Sequence, residues 1–146
     1  MAANYLKAMQ SYLKDSDLPK LEQLVVTKSW WDTVDILDRV VGSLVYEKQE
    51  LEKIILQWSL SDNIWLRRVA IDHQLLRKEK TNVQLLEKIL FHNLNQTEFF
   101  INKAIGWALR DYSKTNPAWV ACFIGKNKER MADLSIKEAS KYLSHH

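Results

Sequence analysis

Lys28-Ser29-Trp30-Trp31-Asp32-Thr33-Val34-Asp35 has the composition of a helix start. Ser29 is a favoured N-cap residue, and Asp32 in the first turn suits the positive end of the helix dipole. The spacing predicts a helix from Trp30 to about Val45, with Trp30, Val34, Leu37, Val41 and Leu44 on one apolar stripe. Trp31 and Asp35 lie off that stripe, one turn apart, and Asp38 and Gly42 continue their line. An aromatic and an acid at i, i+4 are ordinary helix neighbours, so their meaning depends on the rest of the chain.

Starts of this kind recur, and their recurrence sets the fold class. Ahead of Trp30, an amphipathic segment runs from about Ala3 to Leu13, and Pro19 suits the first turn of a helix reaching about Val26. Beyond it, Leu51, Ile54, Ile55 and Trp58 show helical spacing, and Ser61-Asp62 starts the next helix. Thr81-Asn82 precedes Val83, Leu86, Ile89, Leu90 and Leu94. Thr97 is expected to cap a helix ending near Ser113, and Asn116-Pro117 is a cap followed by proline at its favoured position. Ser135-Ile136-Lys137-Glu138 reads as a capping box for a last helix. The distinctive helices begin near Trp30, Asp62 and Thr97, a period of about 32 to 35 residues. Short paired helices at that period predict an all-α, HEAT-like helical-repeat solenoid, a right-handed superhelix of antiparallel helix pairs. A compact helical bundle is the alternative architecture. No linker divides the 146 residues, so residues 1–146 are expected to form a single α-helical repeat domain.

Composition narrows the function classes. The apolar share of 47% with 27% charged residues is that of a soluble globular chain. No apolar run approaches the roughly 20 residues of a membrane span, and no secretory signal opens the sequence, so a cytoplasmic protein without a membrane partner is expected. A single cysteine, Cys122, excludes an internal disulfide. Within Trp119-Val120-Ala121-Cys122-Phe123-Ile124 it reads as a buried, inert thiol. The net charge of +3 is too small to announce nucleic acid by itself.

Two later helices carry anomalies of their own. In Asn63-Ile64-Trp65-Leu66-Arg67-Arg68-Val69-Ala70-Ile71, Arg68 shares a line with Ile64, Ile71 and Leu75. A guanidinium on an apolar line needs a partner. Asp72, a carboxylate of a neighbouring repeat, Asp35 and a phosphate are all open to it. In Glu98-Phe99-Phe100-Ile101-Asn102-Lys103-Ala104-Ile105-Gly106-Trp107-Ala108-Leu109-Arg110-Asp111-Tyr112, the residues Ile101, Ile105, Ala108 and Tyr112 form a core stripe. Lys103, Trp107, Arg110 and Lys114 form a second stripe, one aromatic among three cations. Such a stripe is either a nucleic-acid footprint or a solvated face with Trp107 set between repeats. Gly106 beside Trp107 thins the helix, as if for close approach of a ligand to the backbone.

Taken together, Trp30-Trp31-Asp32-Thr33-Val34-Asp35, Trp65-Leu66-Arg67-Arg68-Val69-Ala70-Ile71 and Lys103-Ala104-Ile105-Gly106-Trp107-Ala108-Leu109-Arg110-Asp111-Tyr112 resemble the three signatures of the AlkD-type DNA alkylation repair proteins. Order and spacing agree, Thr115-Asn116-Pro117 follows as in that family, and the similarity runs from about Leu18 to Leu143. The resemblance implies a DNA glycosylase of HEAT-like repeats that removes cationic N3- and N7-alkylated purines. It implies no metal, no cofactor and no flipping of the lesion into a pocket. It places Asp35, Trp31 and Trp107 in the catalytic site on a concave, DNA-facing surface, with Arg68 nearby. Arg68, together with Lys103, Arg110 and Lys114 from the stripe, is expected to bind DNA. The expected partner is double-stranded alkylated DNA, and the expected state a monomer. Family members carry further helices ahead of the Trp-Trp-Asp signature, where this chain has few residues. A non-catalytic helical-repeat module binding DNA or protein is therefore the alternative function.

Overall fold

The computed structural model describes residues 31–95 and 97–143, with Pro19, Glu22 and Gln23 ahead of them; for residues 31–37 only the backbone is described. The segment from Ala3 to Leu13, the Ser29 cap and the side chains of Trp30, Val34 and Leu37 lie outside the described residues. The described part is all helical: α1 (Trp31–Glu47), α2 (Glu52–Trp58), α3 (Ile64–Asp72), α4 (Val83–His92), α5 (Phe99–Ser113), α6 (Pro117–Asn127) and α7 (Asp133–Ala139). It divides into two compact units, residues 1–73 and 74–146.

Asparagine starts three of these helices. The Asn63 carboxamide oxygen accepts from the backbone N–H groups of Trp65 (2.9 Å) and Leu66 (3.2 Å), Asn82 accepts from Leu85, and Asn116 accepts from Trp119 with Pro117 following. Each satisfies amides that a helix N-terminus leaves without intrahelical partners. The Ser61-Asp62 start thus falls on Asn63, and the Ser61 hydroxyl accepts from the Asn63 N–H instead. Thr97 does not cap α5; Glu98 holds the N-cap position with no side-chain bond. The Ser135–Glu138 capping box is also absent. α7 begins three residues earlier than a Ser135 cap would place it, at Asp133, and Ser135 is buried inside it, its hydroxyl donating to the Asn102 carbonyl at 2.7 Å.

The internal period is visible in buried polar groups. α4 and α6 each begin at an Asn cap and end at a second asparagine, Asn93 and Asn127, whose side-chain amide donates to the carbonyl four residues back. These pairs recur about 34 residues apart, and Ser59, at the same interval before Asn93, ends α2 with its hydroxyl on the Leu56 carbonyl. Buried polar groups must be hydrogen-bonded, so a short side chain that folds back on its own helix suits a turn pressed into the core.

In each unit a helix packs on the one two before it: α3 on α1, and most extensively α7 on α5. A glycine marks both contacts. A Cβ on Gly42 of α1 would stand 2.0 Å from the His73 carbonyl oxygen, and one on Gly106 of α5 would stand 2.8 Å from Glu138 Cβ. Gly106 therefore admits a helix, not a ligand. The core of the first unit includes Val40, Val41, Val45, Ile55, Val69 and Ile71. That of the second includes Leu86, Ile89, Leu90, Ile101, Ile105, Leu109 and Val120. The expected α5 stripe of Ile101, Ile105, Ala108 and Tyr112 is buried throughout.

Candidate functional site

In the first unit, Trp31 and Asp35 stand one turn apart on α1, at the N-terminal end of a helix of 17 residues. Their side chains lie outside the described residues. The line they begin does not stay on the surface: Asp38 is buried at 2% exposure, and Gly42 meets the His73 backbone. α1 therefore has a wider covered arc than its apolar stripe indicates, because α3 packs onto it. Arg68 of α3 is also buried, at 2%, as are Asp72 and His73. The line it shares with Ile71 is a core-facing line, and burial of a guanidinium is tolerable only with polar partners around it.

In the second unit, α5 carries the remaining candidates, and the structure brings them together along one flank. Lys103 and Trp107 are half-buried, and Lys114 is exposed. The Lys103 ammonium lies 5.7 Å from the Phe99 ring centroid and 5.8 Å from that of Trp107, within cation–π range of both. Arg110 forms an ion pair with Glu138 of α7, both side chains partly exposed at 29% and 23%. The Lys114 ammonium lies 5.0 Å from the Tyr142 ring centroid. The flank is thus a row of three rings and three cations, Phe99–Lys103–Trp107–Arg110–Lys114–Tyr142, with one carboxylate inserted.

Three members of that flank are additions. Phe99 precedes Lys103 by one helical turn, so its place was open to a periodicity reading. Glu138 comes from α7 and Tyr142 from the turn after it, and no spacing on α5 reports them. Cys122 is exposed, not buried. The exposed residues of α6 are Ala118, Ala121, Cys122, Gly125 and Lys126, while Val120 and Phe123 are buried, so the apolar run of α6 has a mostly small-residue outer side. A pocket of about 410 Å³ at the α6–α7 turn, lined by Gly125, Lys126, Asn127, Lys128, Glu129 and Arg130, contains none of the candidate residues. Among the described residues no helix is long and apolar enough to cross a membrane, and no group of three His, Cys, Asp or Glu side chains could hold a metal ion.

The model of the family described as DNA alkylation repair enzyme matches residues 1–143. The chain belongs to that family. The match begins well before Leu18, where the signature resemblance begins, so the N-terminal residues share it too. A predicted DNA alkylation repair enzyme from Enterococcus faecalis has a solved structure that superimposes with a TM-score of 0.90 at 36% identity. That match covers 99% of this chain and 68% of the relative's, whose remaining residues lie outside it. No curated protein matches the chain. Membership of the DNA alkylation repair family gives the chain a role in repair of alkylated DNA, with DNA as substrate.

Proposed function

We propose that the protein is a DNA glycosylase, hydrolysing the N-glycosidic bond of cationic N3- and N7-alkylated purines in duplex DNA without drawing the lesion into a pocket. The observation that carries this reading is the ring-and-cation flank of α5, in a chain of a DNA alkylation repair family whose α1 bears Trp31 and Asp35 one turn apart. Its HEAT-like repeats would present these groups to one duplex as a monomer.

The substrate's charge sets what the protein must supply. A purine alkylated at N3 or N7 leaves as a neutral base, so no general acid is required, unlike the two-carboxylate hydrolysis of neutral glycosides. One carboxylate, Asp35, opposes the positive charge growing on the deoxyribose and orients a water molecule. At about 4 Å and an effective dielectric near 20, that pair interacts by roughly 4 kcal/mol. This bounds the effect near a thousandfold in rate before solvation is subtracted. Trp31 and Trp107 pack against the cationic nucleoside, each adding roughly 0.5–2 kcal/mol of cation–π attraction. Lys103, Arg110 and Lys114 hold phosphates. Arg68, being buried, acts as a positioning residue for the site.

Release of 7-methylguanine from alkylated duplex, under single turnover, tests this. Asp35→Asn keeps shape but removes charge and is expected to slow release by about thirty- to a thousandfold. Asp62→Asn, on an exposed turn, is the control. Equal rates for wild type and Asp35→Asn would make Asp35 structural. Absence of release by wild type would leave a DNA-binding module.

A further inference from the structure

The turn ahead of α4 is held in a shape that its residue types disfavour. Leu76 has φ +70° and Lys78 has φ +53°, in the left-handed region where a Cβ crowds the backbone and glycine or asparagine is the usual occupant. The turn is nevertheless fixed at several points. Buried Gln74 closes its base, its carbonyl oxygen accepting from the Asn82 N–H at 2.7 Å and its amide donating to the Asn82 carbonyl at 3.2 Å. The Arg77 guanidinium donates to the same Gln74 oxygen. The Leu76 N–H donates to the Asp111 carboxylate of α5 at 2.9 Å.

The product of all this fixing is a projecting side chain. Leu76 is 54% exposed, and Lys78, Glu79 and Lys80 beyond it are exposed, two cations to one carboxylate. A lone exposed leucine needs no explanation. A leucine at a left-handed backbone position, its N–H held by the Asp111 carboxylate, is different, since outliers over-determined by their surroundings cluster at functional sites. The tether also sets the location. Asp111 follows Arg110 and precedes Lys114, so the turn stands at the end of α5 that carries the two C-terminal cations of its flank.

An apolar tip followed by a net-basic segment, held by several hydrogen bonds, suits the minor groove of duplex DNA. There, apolar deoxyribose edges lie between two rows of phosphates. We propose that the turn Leu76–Lys80 is a second DNA contact, outside the three signatures, with Leu76 against the sugar wall of the minor groove and Lys78 and Lys80 on phosphates. Asp111 is its positioning residue. The proposal rests on the reading of duplex DNA as substrate.

The test measures binding of an undamaged duplex by fluorescence anisotropy across a salt series, beside thermal denaturation and 7-methylguanine release by wild type. Leu76→Gly is expected to melt at or above wild type, since glycine relaxes the left-handed position, and yet to bind about fivefold more weakly at every salt concentration. An apolar contact releases no counterions, so its salt slope stays that of wild type. Lys78→Ala combined with Lys80→Ala is expected to reduce the slope of log K against log salt by about 1.8. If both variants bind as wild type does, the turn is only structural and the proposal fails, while the glycosylase reading stands. If wild type binds duplex but releases no base, the glycosylase reading fails, and losses in the variants still support the contact. If wild type binds no duplex even in dilute buffer, both fail.

Discussion

Arg110 on α5 and Glu138 on α7 form an ion pair beside Gly106, whose missing side chain lets the two helices meet. The cation proposed to hold a phosphate is thus already engaged by a carboxylate. Part of its attraction for DNA is offset by losing that partner.

Glu138→Gln should therefore tighten duplex binding, by several-fold at low salt, with weaker effect as salt screens the surface. Arg110→Ala should weaken it and lower the salt slope by about 0.9, the share of one phosphate contact. Anisotropy titrations at four salt concentrations separate the two. A Glu138→Gln variant that binds no more tightly would show that the pair only braces α7 on α5.

The three glycines should respond to alanine in three different ways. Gly42→Ala places a methyl 2.0 Å from the His73 backbone oxygen and should destabilise by more than about 3 kcal/mol. Gly106→Ala meets Glu138 Cβ at 2.8 Å, too near the backbone to swing aside, and should cost about 1–3 kcal/mol. Gly125→Ala meets nothing within 4 Å and lies in a helix, so it should stabilise by about 0.5–1 kcal/mol. Denaturant melts of the three give the order directly.

Arg68 and Asp38, both at 2% exposure, should behave as structural groups first. Arg68→Ala removes a buried cation from its polar surroundings and should cost about 3–5 kcal/mol of stability. Asp38→Asn should cost about 1–3 kcal/mol, unlike a surface Asp→Asn change. A variant of either that melts like wild type would contradict the buried placement.

Cys122, exposed on α6, should react with a chromogenic disulfide reagent in the native protein, releasing one equivalent without denaturant. Reaction only after unfolding would put α6 the other way round.

How far these features were open to a reader of the sequence depends on the range of the interaction involved. The Asn82 and Asn116 caps, Pro117 and the Ile101–Tyr112 stripe depend on residues within a turn or two of each other, and periodicity finds them. Asp38 lies off the apolar stripe of α1 and is nevertheless buried, because one stripe describes one contact and α1 has a second where α3 arrives. Ser135 and Glu138 have the spacing of a capping box, but the same hydroxyl and carboxylate serve Asn102 and Arg110 on another helix. Gly106 reads equally as space for a ligand or for a backbone, and only the position of α7 decides. The α5 flank was legible as a pattern, whereas its carboxylate, arriving from α7, was not.

The interlock of α5 with α7 also orders events during synthesis. A ribosome makes α5 first, and the helix emerges with a glycine-lined flank, the Asn102 carbonyl lacking its hydroxyl donor and Arg110 lacking its carboxylate. All three are supplied by residues 135 to 138. A nascent chain halted before residue 133 would hold all of α5 and still lack the residues that pack against its flank. In this protein the α5 flank is written early in the message and completed late.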